Sequence, residues 1–296
     1  MKTSSSSCDP RRSAAPSLEG GDPNDISNPS NKQNLNDMLV YMRTVQAAAF
    51  CKTIESLKEI LNDTNITFDK DGLRIMTLDG LKTSLINMRM YADNFEEYHC
   101  EKELFIGVNM SNLFKLIKSI ENNDMLTLFV KRNEEFTLGI IINNTEKNRS
   151  TKFNLKLLDL DQTKIEVPST EFKNVITLPS SDFQRICRDM QNIGDKVLIE
   201  NYGTHIQLTC KGDFAEQTTT ISGINKEVVT PDNDVNDIIK GLFSLKHLCL
   251  FTKCTNLCNT VELYLKNDYP LIIKYGIANL GRTHFVLSPS IDDDDS

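Results

Sequence analysis

The chain has no tryptophan, four histidines and nine prolines in 296 residues. It has no apolar run near the ~18 residues that a membrane-spanning helix requires, so no membrane partner is expected. Its amino terminus lacks the apolar core of a secretory leader. Loops of the form G-x-x-x-x-G-K-[ST], H-E-x-x-H helices and G-x-S-x-G elbows are missing, so neither a nucleotide cofactor nor catalysis is expected. His99, His205, His247 and His284 are dispersed. The nearest approach to a metal-ligand run is HLCLFTKCTNLC, with His247, Cys249, Cys254 and Cys258, and its spacing is not that of a zinc ribbon or finger. Positive charge is also short. Lys and Arg number 33 against 41 Asp and Glu, for a net charge of −8. That excludes a surface basic everywhere but not a local basic patch, because binding responds to the local field. Eight scattered cysteines fit reduced thiols in an intracellular protein better than a disulfide framework.

The 39% apolar and 25% charged residues are those of a globular protein with a sizeable core, and the length suits two domains. Residues 1–38 are rich in Ser, Asn, Pro, Asp and Gly and are expected to be disordered, since they bury too little to offset chain entropy. Residues 292–296 read as an acidic tail. Between them, strand-like runs such as LRIMTL (73–78), SLINMRM (84–90), LTLFV (126–130), TLGIII (137–142) and KFNLKLL (152–158) alternate with turn residues. Two segments have helical period instead. Phe50, Ile54, Leu57 and Leu61 line one side of AAFCKTIESLKEIL. Leu113, Leu116, Ile117 and Ile120 line MSNLFKLIKSI, with Ser111 as the expected N-cap. The second half repeats the plan: VITL, a helix over 181–193, then VLIEN, HIQLTC and QTTTIS, a helix near 243–255, then VELYL, LIIKYGI and HFVLS. The expected fold is therefore α+β, with two similar domains at 39–156 and 174–291. Residues 157–173 between them carry Asp159, Asp161 and Glu166, Pro168, and isolated apolar Ile165 and Val167, as an extended surface connector would.

The stretch PSSDFQRICRDMQNIGD (179–195) sharpens the charge question. Phe183, Ile186, Cys187 and Met190 form its apolar stripe, and at ~100° per residue Arg185 and Arg188 fall opposite. Lys115 and Lys118 stand similarly on the second helix; the first is only partly basic, with Lys52 and Glu55 opposite the stripe and Lys58 on a flank, and the fourth carries Lys246, His247 and Lys253 on a looser stripe. One such face is ordinary solvation. Four in an acidic chain, if they share a surface, make a cationic track for a phosphate backbone. Without interleaved aromatics the track suits sequence-independent contact, and not stacking of single-stranded bases.

These residues also carry a resemblance. PSSDFQRICRDMQNIGD, LKLLDLDQTKIEVP, LFTKCTNLCNTVELYL and YPLIIKYGIANLGRTHFVLSPSIDDDD closely resemble the proliferating cell nuclear antigen family, the eukaryotic-type DNA sliding clamps, from about Leu39 to the end. The resemblance implies a ring of three identical subunits with helices lining the hole and sheets outside. Double-stranded DNA passes through the hole. The ring tethers a DNA polymerase and other replication and repair proteins, and an ATP-driven clamp loader is a further implied partner. Such a protein works in the nucleus, or at a viral replication site. By position, the DNA track comprises Lys52, Lys58, Lys115, Lys118, Arg185, Arg188, Lys246 and Lys253, with Cys51-Lys52 where the family usually has two lysines. The family's partner-peptide pocket maps to Leu78, Lys82, Leu85, Ile165, Val167, Pro168, Pro270, Val286, Ser288 and Pro289. Lys82 replaces a common His there, and Val286 an aromatic. Subunits would join through KFNLKLL (152–158) and EQTTTIS (216–222), and the family's regulatory lysine falls at Gly203. A subunit of a heterotrimeric or checkpoint ring, or an α+β enzyme with an unrecognised site, are the competing readings.

Overall fold

The computed structural model describes residues 35–79, 83–161, 165, 172, 175–222 and 238–290. The expected disorder of residues 1–34, the acidic tail 292–296, and Lys82, Val167 and Pro168 lie outside the described residues. Chain contacts divide the protein into Met1–Asn36 and Asp37–Ser296, and every element below belongs to the second unit.

Its first half runs β1 (Met38–Thr44), α1 (Ala47–Leu57), β2 (Asp63–Asp69), β3 (Gly72–Leu78), β4 (Ser84–Tyr91), β5 (Glu97–Cys100), β6 (Leu104–Asn109), α2 (Met110–Ile117), β7 (Met125–Lys131), β8 (Thr137–Asn144) and β9 (Arg149–Lys156). The second runs β10 (Val175–Pro179), α3 (Ser180–Gln191), β11 (Lys196–Asn201), β12 (His205–Lys211), β13 (Glu216–Ser222), β14 (Ile239–Ser244), α4 (Leu245–Phe251), β15 (Thr260–Tyr264), β16 (Leu271–Ile277) and β17 (Gly281–Leu287). A 3-10 turn, Thr252–Leu257, continues α4.

The strands form three antiparallel sheets, ordered β5-β1-β7-β8-β9, β10-β15-β16-β17-β4-β3-β2-β6 and β13-β12-β11-β14. Apart from β5, each half builds the same two four-strand sets. The set β1-β7-β8-β9 corresponds to β10-β15-β16-β17, and β4-β3-β2-β6 to β13-β12-β11-β14. The central sheet exists because β17, the last strand of one set, pairs with β4 of the other half, register Phe285↔Ile86. The strands holding the same places elsewhere, β9 and β13, each end a sheet.

Period-2 alternation decides the faces of the central sheet. Thr283, Phe285 and Leu287 of β17, and Ile86, Met88 and Met90 of β4, are buried. They join Phe50, Ile54, Phe183, Leu248 and Phe251 of the helices in one core. Phe251 stacks on Phe285 with ring centroids 4.6 Å apart. The helices pack in a layer on this face: α1 against α2 and the 3-10 turn, α3 against α4 and the same turn. Gly72 has φ +134° at the β2–β3 turn, and a Cβ there would lie 2.1 Å from the Met90 carbonyl oxygen, so only glycine fits.

Several local expectations shift. The cap of α2 is Asn109, not Ser111: its side chain accepts from the Asn112 amide at 2.9 Å, so the helix begins two residues earlier. Leu61 and Ile120 keep the apolar stripe but lie past the helix ends. The last helix starts at Leu245, because Ile239–Ser244 is pulled into a strand against β11. The edge strand expected at 152–158 is Arg149–Lys156, and Leu158 leaves it to bridge Gly107.

Candidate nucleic-acid interface and partner pocket

The helical stripes turn Phe50, Leu113, Phe183 and Leu248 into the core, each 0% exposed, so the opposite faces point to solvent. Lys52, Lys115, Lys118, Arg185, Arg188, Lys246 and Lys253 are all exposed. Arg188, Lys246 and Lys253 line one concavity of about 260 Å³ between α3 and α4, with Gln184, Gln191 and Cys249. The field there is felt locally: burial raises the Cys249 thiol, and Arg188 and Lys253 oppose that rise. Acids on the layer moderate it. Arg185 pairs with Asp182 at 3.3 Å. Lys58 is only half-buried, paired with Glu59 and 5.0 Å from the Phe114 ring centroid. It therefore braces α1 against α2 more than it faces outward. The remaining cations are flexible point charges without aromatic neighbours on the same face, which is what loose contact with phosphates requires.

The opposite face of the central sheet carries an apolar row. Leu78 stands opposite Leu85, Leu85 opposite Val286, and Val286 opposite Ile272. Tyr264 of β15 extends the row beyond Ile272. These side chains point away from the helices, yet Leu85 is only 7% exposed. Sequence reasoning found Leu78, Leu85 and Val286 and missed Ile272 and Tyr264; the alternation of LIIKYGI and VELYL held the signal. Ser288 and Pro289 are exposed just past β17, and the Ser288 amide donates to the Thr83 carbonyl at 3.0 Å. Pro270 sits immediately before β16, and Ile165 is half-buried. Phe172 lies edge-on to Tyr264 at 5.5 Å.

Between the two faces, Asp79 ties the β3–β4 loop to α4. It accepts from the Thr83 amide at 2.7 Å and the Ser84 amide at 2.9 Å, and faces His247 Nε2 at 3.3 Å. Burial works to raise its carboxyl, but the Ser84 amide and the Thr83 hydroxyl and amide outweigh burial and hold it below the usual range. His247 is thus occupied by Asp79, Thr83 and Ser244, while Cys254 is fully buried. The run HLCLFTKCTNLC therefore sends its side chains in different directions. Among the described residues no three His, Cys, Asp or Glu side chains gather as a metal site. Cys187 is 1% exposed, and burial pushes its thiol up; burial takes the Cys254 thiol to about 12. Neither is poised as a nucleophile. Gly203, at φ +81°, turns β11 into β12 with its amide on Asn201 Oδ1 at 2.9 Å. That backbone favours the glycine found there over a lysine.

Family models described as the N-terminal and C-terminal domains of proliferating cell nuclear antigen match residues 38–165 and 166–290. The chain is 39% identical over 257 residues to the "Probable DNA polymerase sliding clamp 1" of Paramecium bursaria Chlorella virus 1, covering 86% of this chain and 97% of that protein. It is 29% identical over 260 residues to the "Proliferating cell nuclear antigen" of Chaetomium thermophilum, covering 87% of this chain and all of that one. The crystal structure of the corresponding Entamoeba histolytica protein superimposes with a TM-score of 0.77 at 28% identity, covering 86% of this chain and 100% of that chain. The two helix-and-sheet halves, the shared central sheet and these matches along both halves have one reading: the chain belongs to the proliferating cell nuclear antigen family.

Proposed function

We propose that the protein is a homotrimeric DNA sliding clamp, a processivity factor without catalysis of its own. The observation that carries this is the helix layer: seven exposed cations gather on one face of a chain whose net charge is −8. Lys52, Lys115, Lys118, Arg185, Arg188, Lys246 and Lys253 touch phosphates of an encircled duplex, and Lys58 supports them from α1. Contact of this kind is weak and salt-sensitive, so retention on DNA comes from topology and loading needs an ATP-driven partner. Domains at 39–156 and 174–291, joined by a connector at 157–173, present the pocket on the other face. Leu78, Leu85 and Val286 form its floor, with Ile165, Pro270, Ser288 and Pro289 as its proposed rim; the family resemblance assigns Lys82, Val167 and Pro168 to the same site. A polymerase or other client docks there through a short helical turn carrying paired aromatics. The site of action is the nucleus or a viral replication compartment, in keeping with relatives from a virus and a fungus.

The duplicated topology supports ring closure. Phe285 faces Ile273, which faces Leu263; in the same places, Phe153 faces Ile140, which faces Leu128. Thr151, Phe153 and Leu155 thus repeat Thr283, Phe285 and Leu287. In the same way Thr219 of β13 repeats Met88 of β4, since Leu208 and Ile75 are their respective partners. Transferring the β17–β4 register to β9 and β13 of two copies sets Phe153 opposite the partner subunit's Gln217, and Thr151 opposite the partner subunit's Thr219. Pairing disposes of both open edges. The test is light scattering with a retention assay. A mass of three chains and retention on circular but not linear DNA are expected. A stable monomer, or a ring formed only with other chains, refutes the homotrimer.

A further inference from the structure

On the outer face of the central sheet, four residues along the strands from the apolar row, three arginines stand side by side. Arg74 of β3 is opposite Arg89 of β4, and Arg89 is opposite Arg282 of β17. Like charges directly opposite on neighbouring strands destabilise a sheet unless something offsets them. Among the described residues only the middle one is offset: Arg89 reaches Asp69 at 3.2 Å and Asp71 at 3.5 Å. Arg74 and Arg282 have no carboxylate partner among the described residues, and Arg282 lies 5.7 Å from the Tyr91 ring centroid. A concavity of about 390 Å³, lined by Lys70, Asp71, Arg89, Tyr91, Ala92 and Asp93, opens beside the row.

The row between holds one cation, Lys274, which is already paired, beside His284. His284 stands opposite both Asn87 and Lys274. Its pKa is pushed down to about 4, by burial first and then by Arg282 and Lys274, against the opposing pull of Glu262. Glu262 is itself held by Lys274 at 2.8 Å. Buried Asn87 Oδ1 has no hydrogen-bond partner.

We propose that Arg74 and Arg282 form an anion subsite that extends the partner pocket and selects client peptides with an acidic flank. This rests on the pocket reading above. At about 3.3 Å per residue, four positions separate the arginine row from Leu85 and Val286 by about 13 Å. An extended flank of four or five residues spans that distance and sets its carboxylates against the two guanidiniums, which favour carboxylates in forked geometry.

The test is fluorescence anisotropy with the full chain and clamp-motif peptides carrying an acidic, a neutral or a basic four-residue flank, placed on either side. One acidic flank should tighten binding about three- to tenfold at low salt, with the gain shrinking as salt rises. Arg74→Ser with Arg282→Ser should abolish that preference and leave neutral-flank binding unchanged. Arg282→Glu should shift the preference toward the basic flank. Binding of the neutral-flank peptide with no gain from either acidic flank overturns the subsite and leaves the pocket standing. Failure of every peptide to bind overturns the pocket, and the extension with it.

Discussion

Truncating Phe153 separates what holds one chain together from what closes a ring. Phe285, its counterpart in the other half, is 0% exposed at the seam between β17 and β4. Phe285→Ala should therefore cost the ~3–5 kcal/mol typical of a buried Phe and impair folding. Phe153 is only half-buried in a single chain, because β9 has no neighbour on its far side. About half of that worth, roughly 2 kcal/mol, is realised only when β13 of a second copy covers it. That is about 30-fold per seam, and three weakened seams raise the concentration at which rings fall apart by roughly 100-fold. Light scattering on a dilution series reads this directly, between the 33.5 kDa of one chain and about three times that mass. Phe153→Ala should shift the midpoint to higher concentration and lower the melting temperature by clearly less than Phe285→Ala does. A variant whose rings dissociate as the parent's do would refute the transferred register. So would one that unfolds as readily as Phe285→Ala.

Charge reversal at Lys115 and Arg188 should lower processive synthesis by a partner polymerase, seen as shorter products, without changing clamp-motif peptide binding; joint loss in a folded protein would contradict separate faces. Val286→Asp places a charge in the middle of the Leu78–Leu85–Val286 row and should weaken that peptide at least ~10-fold, while retention on circular DNA persists; titration calorimetry reads the first and a retention assay the second. His284 bears on acid stability. Its folded pKa of about 4 lies below the ordinary 6.5, so between those values the unfolded chain binds the extra proton. Its contribution is complete above pH ~6.5 and is lost as pH falls toward 4. His284→Gln should flatten the fall in melting temperature over that window, and an unchanged slope would show that another group titrates there.

The helices were legible because their stripes are long and strongly apolar, and the stripe is what packs. Their ends were not. Leu61 and Ile120 still serve the core from turns, so periodicity overruns hydrogen bonding at both. The cap of α2 shows the same limit, since Asn109 is also the last residue of β6 and either role fits its type. The strand runs gave up their faces through alternation, but not their neighbours. Nothing local in LINMRM or THFVL says that β4 and β17 pair across the two halves. The basic track was readable helix by helix; that Lys58 bends back over Phe114 depends on α2, far along the chain. The apolar row was found only in part, for Ile272 and Tyr264 come from strands that meet it through sheet order.

The seam between β17 and β4 also says where a ring would open. In a closed trimer six seams of the same design alternate, three inside chains and three between them. Those inside are lined by Ile86, Met88 and Met90 of β4 and hold partners that the chain never releases. At the corresponding positions β13 offers Gln217, Thr219 and Ile221, a more polar lining with no tether. A homotrimer of the proposed kind would therefore have three weaker seams of known address, and a loader opening one would expose two polar side chains that water hydrates, where a β17–β4 seam would expose a methionine-packed core.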